Sequence, residues 1–148
     1  MLSTQGFTLI EVLVVVAILG VLTTVAYPSF IQQIRKSDRN EGKGALLEVM
    51  VAQETYRREA ARFTANMSDL RVGLTPSGGD FLTTGGLYKV SIAAADRGSF
   101  TAVARAAGRQ LQDKGLNCHA MALQVTLGGA KRGHLDNGGG FAESNECW

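Results

Sequence analysis

From Phe7 to Tyr27 the chain runs for 21 residues with a single charge, Glu11. Coiled as a helix at 1.5 Å per residue, that run is about 31 Å long, the thickness of a bilayer's hydrocarbon core. A segment so long and so apolar belongs either in lipid or in the dry interior of an assembly, and the remaining residues must build the soluble structure. An acid near one end of such a span is costly in hydrocarbon and by default marks function. An ordinary membrane anchor with one tolerated polar residue is the alternative, and the surroundings of Glu11 argue against it.

Glu11 lies four residues after Phe7, which follows Gly6 in a short polar leader, MLSTQG. A cut between Gly6 and Phe7 leaves a new amine about one helical turn from that carboxylate. In an assembly, the carboxylate of one copy is neutralised by the amine of a neighbour. A buried pair of this kind fixes register better than it adds stability. Gly6, Phe7, Thr8, Leu9, Ile10 and Glu11, with Pro28 past the apolar stretch, resemble the class III signal of type IV pilins. The resemblance implies cleavage after Gly6 by a prepilin peptidase, N-methylation of Phe7, and packing of the helix into a filament core with Glu11 in an assembly role. Pseudopilins of type II secretion share this signal, so it indicates a superfamily rather than one machine.

The leader departs from the family pattern in carrying no Lys or Arg; Arg35, Lys36 and Arg39 lie beyond the span instead. The positive-inside rule alone places the C-terminal part in the cytoplasm. The cleavage motif and the cysteines point the other way, to an inner-membrane precursor with a periplasmic head and to an extracellular pilus after assembly. A secretory signal peptide fits poorly, because its cleavage site follows its apolar region.

With 148 residues, one small domain plus a long helix is the natural organisation. The expected parts are a leader over 1–6, a transmembrane or filament-core helix over 7–28, its amphipathic half over 29–63, and a globular head over 64–148. The formal net charge of +2 compels no polyanionic partner. Two cysteines, Cys118 and Cys147, in an exported chain are expected to form a disulfide. Two reduced thiols fit only a cytoplasmic domain. A closed metal site wants about four ligands, and only His119 and His134 stand ready to join the cysteines.

Beyond Pro28, which removes a backbone donor and is expected to kink the helix, the helical pattern continues. Leu46, Met50, Gln53, Tyr56, Ala60 and Phe63 recur at spacings of three and four. Glu48, Glu54, Arg57, Arg58 and Arg62 fill the other positions, as in an amphipathic helix on a head. Gly20, Gly42 and Gly44 weaken the helix further. Residues 64–86 are rich in turn formers and read as a long loop with a short helical turn near Met67–Leu70. Strands are expected over Leu87–Ala94, Ser99–Ala106 and Ala120–Leu127, the first two joined at Asp96-Arg97-Gly98. The glycine-rich remainder returns to Cys147. The result is an α+β fold: a long N-terminal helix packed on a small antiparallel sheet, with a C-terminal disulfide loop. That is also the type IV pilin fold. YRREAARFT (Tyr56 to Thr64), Phe100-Thr101, Gln112-Asp113 before Cys118, Thr126-Leu127-Gly128 and Cys147-Trp148 resemble minor pilins of the PilE type.

No site for catalysis or a cofactor stands out. Gly42-Lys43-Gly44 lacks the spacing and the Ser or Thr of a phosphate-binding loop, and no nucleophile elbow is present. His119, beside the disulfide, reads as a hydrogen-bonded structural residue, and His134 as a solvated loop residue. The expected role is therefore structural: a minor pilin serving adhesion, twitching motility or DNA uptake. Its partners would be other pilin subunits, prepilin peptidase, the inner-membrane assembly machinery, and membrane lipid before assembly. A DNA-receptor pilin is one alternative, with Arg97, Arg105, Arg109, Lys114, Lys131 and Arg132 as its basic face and salt-sensitive binding. Scattered solvated charge is the favoured reading of those residues. A secretion pseudopilin is another alternative, against which the two cysteines argue. A major pilin is a third.

Overall fold

A computed structural model describes residues 6–113, 118–136 and 138–148. Leader residues 1–5 and Lys114 lie outside them. The described chain forms helix α1 (Leu9–Ala60) and seven strands: β1 (Thr75–Ser77), β2 (Asp80–Leu82), β3 (Tyr88–Ala95), β4 (Phe100–Ala106), β5 (Ala120–Thr126), β6 (Gly129–Leu135) and β7 (Phe141–Glu143). Short 3-10 turns occupy Met67–Asp69 and Gly108–Gln112.

Two compact units divide the chain, Met1–Ile34 and Arg35–Trp148. In the first, the apolar side chains of α1 face outward: Leu9 is 78% exposed, Val16 60% and Val25 76%. This is the one helix among the described residues long and apolar enough to cross a membrane. The hydroxyls of Thr23 and Thr24 are satisfied locally. Thr23 Oγ1 donates to the Leu19 carbonyl and Thr24 Oγ1 to that of Val21, each at 2.7 Å, as a threonine in an apolar medium requires.

The second unit begins with the rest of α1 and carries the head. The helix ends at Ala60, before the expected Phe63, because Ala61 turns into the left-handed region at φ 55°. Ala45, Leu46, Val49 and Gln53 are its buried stripe. The sheet is an antiparallel meander in the order β1-β2-β3-β4-β5-β6-β7. Its helix-facing residues Tyr88, Val90, Phe100, Ala102, Ala104, Met121 and Leu123 join Leu46 and Val49 in one core. Phe63 packs on Phe100 with ring centroids 4.9 Å apart. Central strand β4 is buried on both faces. On the outer face the buried Val103 pairs with Ser91, whose hydroxyl accepts from Arg105 at 3.0 Å.

The three expected strands are present within a residue or two at each end. Leu127, expected to continue β5 inward, instead sits in the β5–β6 turn, 82% exposed. Four strands went unseen in sequence. The supposed loop 64–86 contains the β1–β2 hairpin, whose turn uses Gly78 and Gly79 at φ 61° and 97°. The supposed tail contains β6 and β7, which satisfy the open edge of β5. β6 (GAKRGHL) is mostly exposed and has no apolar alternation to betray it. The tail closes through the Cys118–Cys147 disulfide, both residues buried and their Cα atoms 5.3 Å apart.

Candidate functional site

The start of α1 is built by Thr8. Its hydroxyl accepts the Glu11 N–H at 3.3 Å, and its carbonyl accepts the Val12 N–H at 3.3 Å, so Thr8 is the N-cap. Thr8-Leu9-Ile10-Glu11 has the Ser/Thr-x-x-Glu pattern of a capping box, a signal available in the sequence and not read there. Capping at Thr8 leaves the Gly6–Phe7 bond outside the helix, and Phe7 is 83% exposed. A Cβ built on Gly6 meets nothing within 4 Å, and its φ is not in the left-handed region. Nothing among the described residues therefore requires glycine at position 6. Glu11 falls in the first turn of α1, where a carboxylate is favoured by the helix dipole.

The head is fastened to α1 by polar side chains that the sequence pattern had assigned to solvent or to the apolar stripe. Gln53, fully buried, donates to the Thr64 carbonyl at 2.6 Å and accepts the Thr64 N–H at 3.0 Å, as a paired strand residue does. Glu41 accepts the amides of Gly85 (3.1 Å) and Leu87 (3.3 Å), and Glu48 accepts that of Gly73. On the other side, Arg39 forms a two-pronged pair with Asp113, at 2.6 and 2.9 Å, with both side chains almost wholly buried. The Asp113 hydrogen bond holds the Arg39 pKa above its ordinary value. Gln110 links this pair to the backbone, donating to Asp113 at 3.0 Å and to the Arg35 carbonyl at 3.1 Å. Arg35 in turn donates to the Gln112 carbonyl and side chain. The buried Tyr88 hydroxyl and Gln110 Oε1 have no hydrogen-bond partner among the described residues. Burial pushes the Tyr88 hydroxyl up to about 12.

The described residues of the supposed basic face, which leave out Lys114, are not brought together. Arg105 and Lys131 lie on the outer face of the sheet, and Lys131 is paired with Glu143 at 3.0 Å. Arg132 alternates to the opposite face and lies over the Trp148 ring. Arg109 is paired with Asp38. Arg97 stands in the β3–β4 turn and, with Arg62, Phe63 and Asp96, lines a cleft of about 450 Å³. Neither arginine has an ion-pair partner among the described residues. That turn is held by Asp96, whose carboxylate accepts the Gly98 and Ser99 amides at 2.6 and 2.7 Å. The Gly98 amide first, then Ser99, holds its pKa below the usual range. His119 is exposed rather than enclosed, and His134 belongs to β6 rather than to a loop.

Residues 28–122 match the family model described as type IV minor pilin ComP, DNA uptake sequence receptor, and residues 1–27 match the prokaryotic N-terminal methylation motif. The chain is 36% identical over 92 residues to the type IV major pilin protein PilA of Myxococcus xanthus (strain DK1622), covering 62% of this chain and 39% of that one. It is 30% identical over 71 residues to type II secretion system core protein G of Pectobacterium carotovorum subsp. carotovorum, covering 48% and 46%. To fimbrial protein Q of Moraxella bovis it is 34% identical over 79 residues, covering 51% and 50%. The matches thus span half or less of the length of these relatives. An apolar helix opened by a methylation motif, a disulfide-closed antiparallel head, and a minor-pilin model matched from Pro28 to Ala122 agree, and the chain belongs to the type IV pilin family as a minor pilin of the ComP type.

Proposed function

We propose that this chain is a structural subunit of a type IV pilus, present as a minor component. One observation carries the reading: an outward-facing apolar helix begins two residues after Phe7, at Leu9, and its first turn holds an acid, Glu11. Prepilin peptidase cuts between Gly6 and Phe7 and the Phe7 amine is methylated. The open surroundings of Gly6 support a demand for glycine that comes from the peptidase. Before assembly, lipid covers the helix and the head lies in the periplasm, where Cys118 and Cys147 are oxidised. The assembly machinery then moves the helix into a filament core among other pilins, where Pro28 lets it bend. There the Phe7 amine of one subunit pairs with the Glu11 carboxylate of another. An unpaired charge in that core is expensive.

The test is mass spectrometry and blotting of sheared filaments at matched expression. The mature chain should begin at a methylated Phe7. Glu11→Ala and Glu11→Gln should accumulate in the inner membrane and be depleted from the filaments. Equal amounts of wild type and Glu11→Ala in the filaments would sink the pairing.

A second reading, a pilus subunit that receives DNA, is favoured by the description of the matched family and by the cleft that Arg62 and Arg97 line. Unpaired guanidinium groups of this kind take phosphates with a steep salt dependence. Duplex binding by the mature chain that is lost in Arg62→Ala/Arg97→Ala supports it. Binding unchanged by that substitution removes the cleft from consideration.

A further inference from the structure

We propose that, before assembly, the base of the head docks on the phospholipid surface of the membrane that holds α1, with Leu111 entering the headgroup layer and Arg35, Lys36 and Arg109 facing lipid phosphates. The inference rests on α1 being covered by lipid at that stage, as in the pilus-subunit reading, and adds a lipid contact made by the head itself.

Chain connectivity keeps these residues near the surface. The exposed apolar side chains of α1 continue through Tyr27 and Phe30 to Ile34. Arg35 is the next residue and the first of the second unit. Long basic side chains directly after an apolar span lay their stems along the apolar layer and place their charged heads at the level of the phosphates.

Within the second unit, the 3-10 turn Gly108–Gln112 is fastened to the first residues of its helix. Gln110 donates to the Arg35 carbonyl at 3.1 Å, and Arg35 donates to the carbonyl and the side chain of Gln112 at 2.6 and 2.7 Å. Leu111 stands between these two glutamines in sequence, so it is held beside the helix position that adjoins the span. Its neighbours Arg109 and Asp113 reach farther along the helix, to Asp38 and Arg39. Leu111 is nevertheless 61% exposed. An apolar side chain fixed at this height gains by entering the boundary between headgroups and acyl chains, as the apolar face of an interfacial segment does.

The charges around Leu111 leave an excess of cations. Lys36 is exposed and has no ion-pair partner among the described residues. Arg35 is bonded to the neutral Gln112. Arg109 is paired with Asp38 at 3.1 Å, yet its side chain stays 65% exposed and keeps a face for a phosphate. The other acids nearby are occupied: Asp113 by the buried Arg39, and Glu41 by the Gly85 and Leu87 amides. Three cations against Asp38 suit an anionic phospholipid surface, where each unit of charge strengthens the contact about fivefold.

The same unit supplies a reference position. Leu127 is also exposed, but it stands beside Gly98, in the turn that follows Asp96. The Asp96 carbonyl accepts the Phe63 N–H just past the end of α1. From Arg35 to Ala60 the helix rises about 38 Å. A head docked by its base therefore brings Leu111 to the lipid and leaves Leu127 in water.

The test uses the mature chain, Phe7 onward, reconstituted in vesicles of phosphatidylethanolamine and phosphatidylglycerol in which a fraction of the headgroups carries a nitroxide. Cys118 and Cys147 are joined, so one introduced cysteine takes a fluorescent label selectively. Headgroup nitroxides should quench a label at Leu111→Cys about threefold or more over one at Leu127→Cys. With the label kept at Leu111→Cys, Lys36→Glu removes two units of charge and should lower the ratio of docked to free heads about 25-fold. Quenching should then fall to the level of Leu127→Cys, whereas Lys36→Arg should preserve it. Equal quenching at the two positions overturns the contact and leaves the pilus reading standing. So does quenching at Leu111→Cys that Lys36→Glu does not move, which reports insertion of the label alone. Loss of the chain from the vesicles in an alkaline wash overturns both the contact and the lipid-covered helix.

Discussion

Gly42 and Gly44 stand two positions apart in α1 and are equal by helix propensity: replacing either with alanine favours the helix by about 0.8–1 kcal/mol. Their surroundings reverse the sign at one of them. A Cβ on Gly44 meets nothing within 4 Å, so Gly44→Ala should keep the whole gain. A Cβ on Gly42 falls 2.6 Å from Met121 Cε and 3.0 Å from Tyr88 Cδ2 and Cγ. Both of those side chains are fully buried and have no solvent to swing into. Overpacking of this kind costs about 1–3 kcal/mol, which outweighs the propensity gain and leaves a net loss of about 1 kcal/mol. For a cooperative unit of roughly 100 residues, 1 kcal/mol moves the melting temperature by about 4 °C or more. Gly44→Ala should therefore melt higher than wild type and Gly42→Ala lower. The assay is thermal unfolding of the mature chain in detergent, followed by the fluorescence of Trp148, the single tryptophan, which packs on the core. Equal increases in both variants would refute the reasoning, since Tyr88 and Met121 would then yield without cost.

Asp113→Ala should destabilise the head by about 3–5 kcal/mol, because it strands the Arg39 charge in a buried site; Arg39→Met/Asp113→Leu should recover most of that loss, as a denaturant titration of both variants would show. Cys118→Ser/Cys147→Ser should cost about 3.5 kcal/mol from the entropy of a loop of 29 residues. Melting unchanged by reductant would contradict it.

Much of the candidate site was legible because its motif is local. Gly6, Phe7 and Glu11 lie within six residues, and Thr8-x-x-Glu11 was equally readable as a cap. Strands β3, β4 and β5 showed themselves through alternation, and Asp96-Arg97-Gly98 through turn chemistry. The polar fastening of the head was not legible. Glu48 looked like a solvated position, yet it binds Gly73 across 25 residues; Arg39 meets its partner across 74. Only Gln53 left a trace, as the one polar member of an apolar stripe.

By itself the sequence determined the apolar span, the N-terminal methylation motif, and the disulfide, since two cysteines permit one intramolecular pairing. These follow from composition and short spacing, which survive in any fold. The tertiary structure alone decided which charges are buried, that a glycine-rich tail supplies β6 and β7, and that Gly42 is seated against Tyr88 while Gly44 is open. The physical reason is that burial and hydrogen-bond pairing depend on neighbours brought from distant parts of the chain. A residue's own type states what it needs, and only the fold states what it meets.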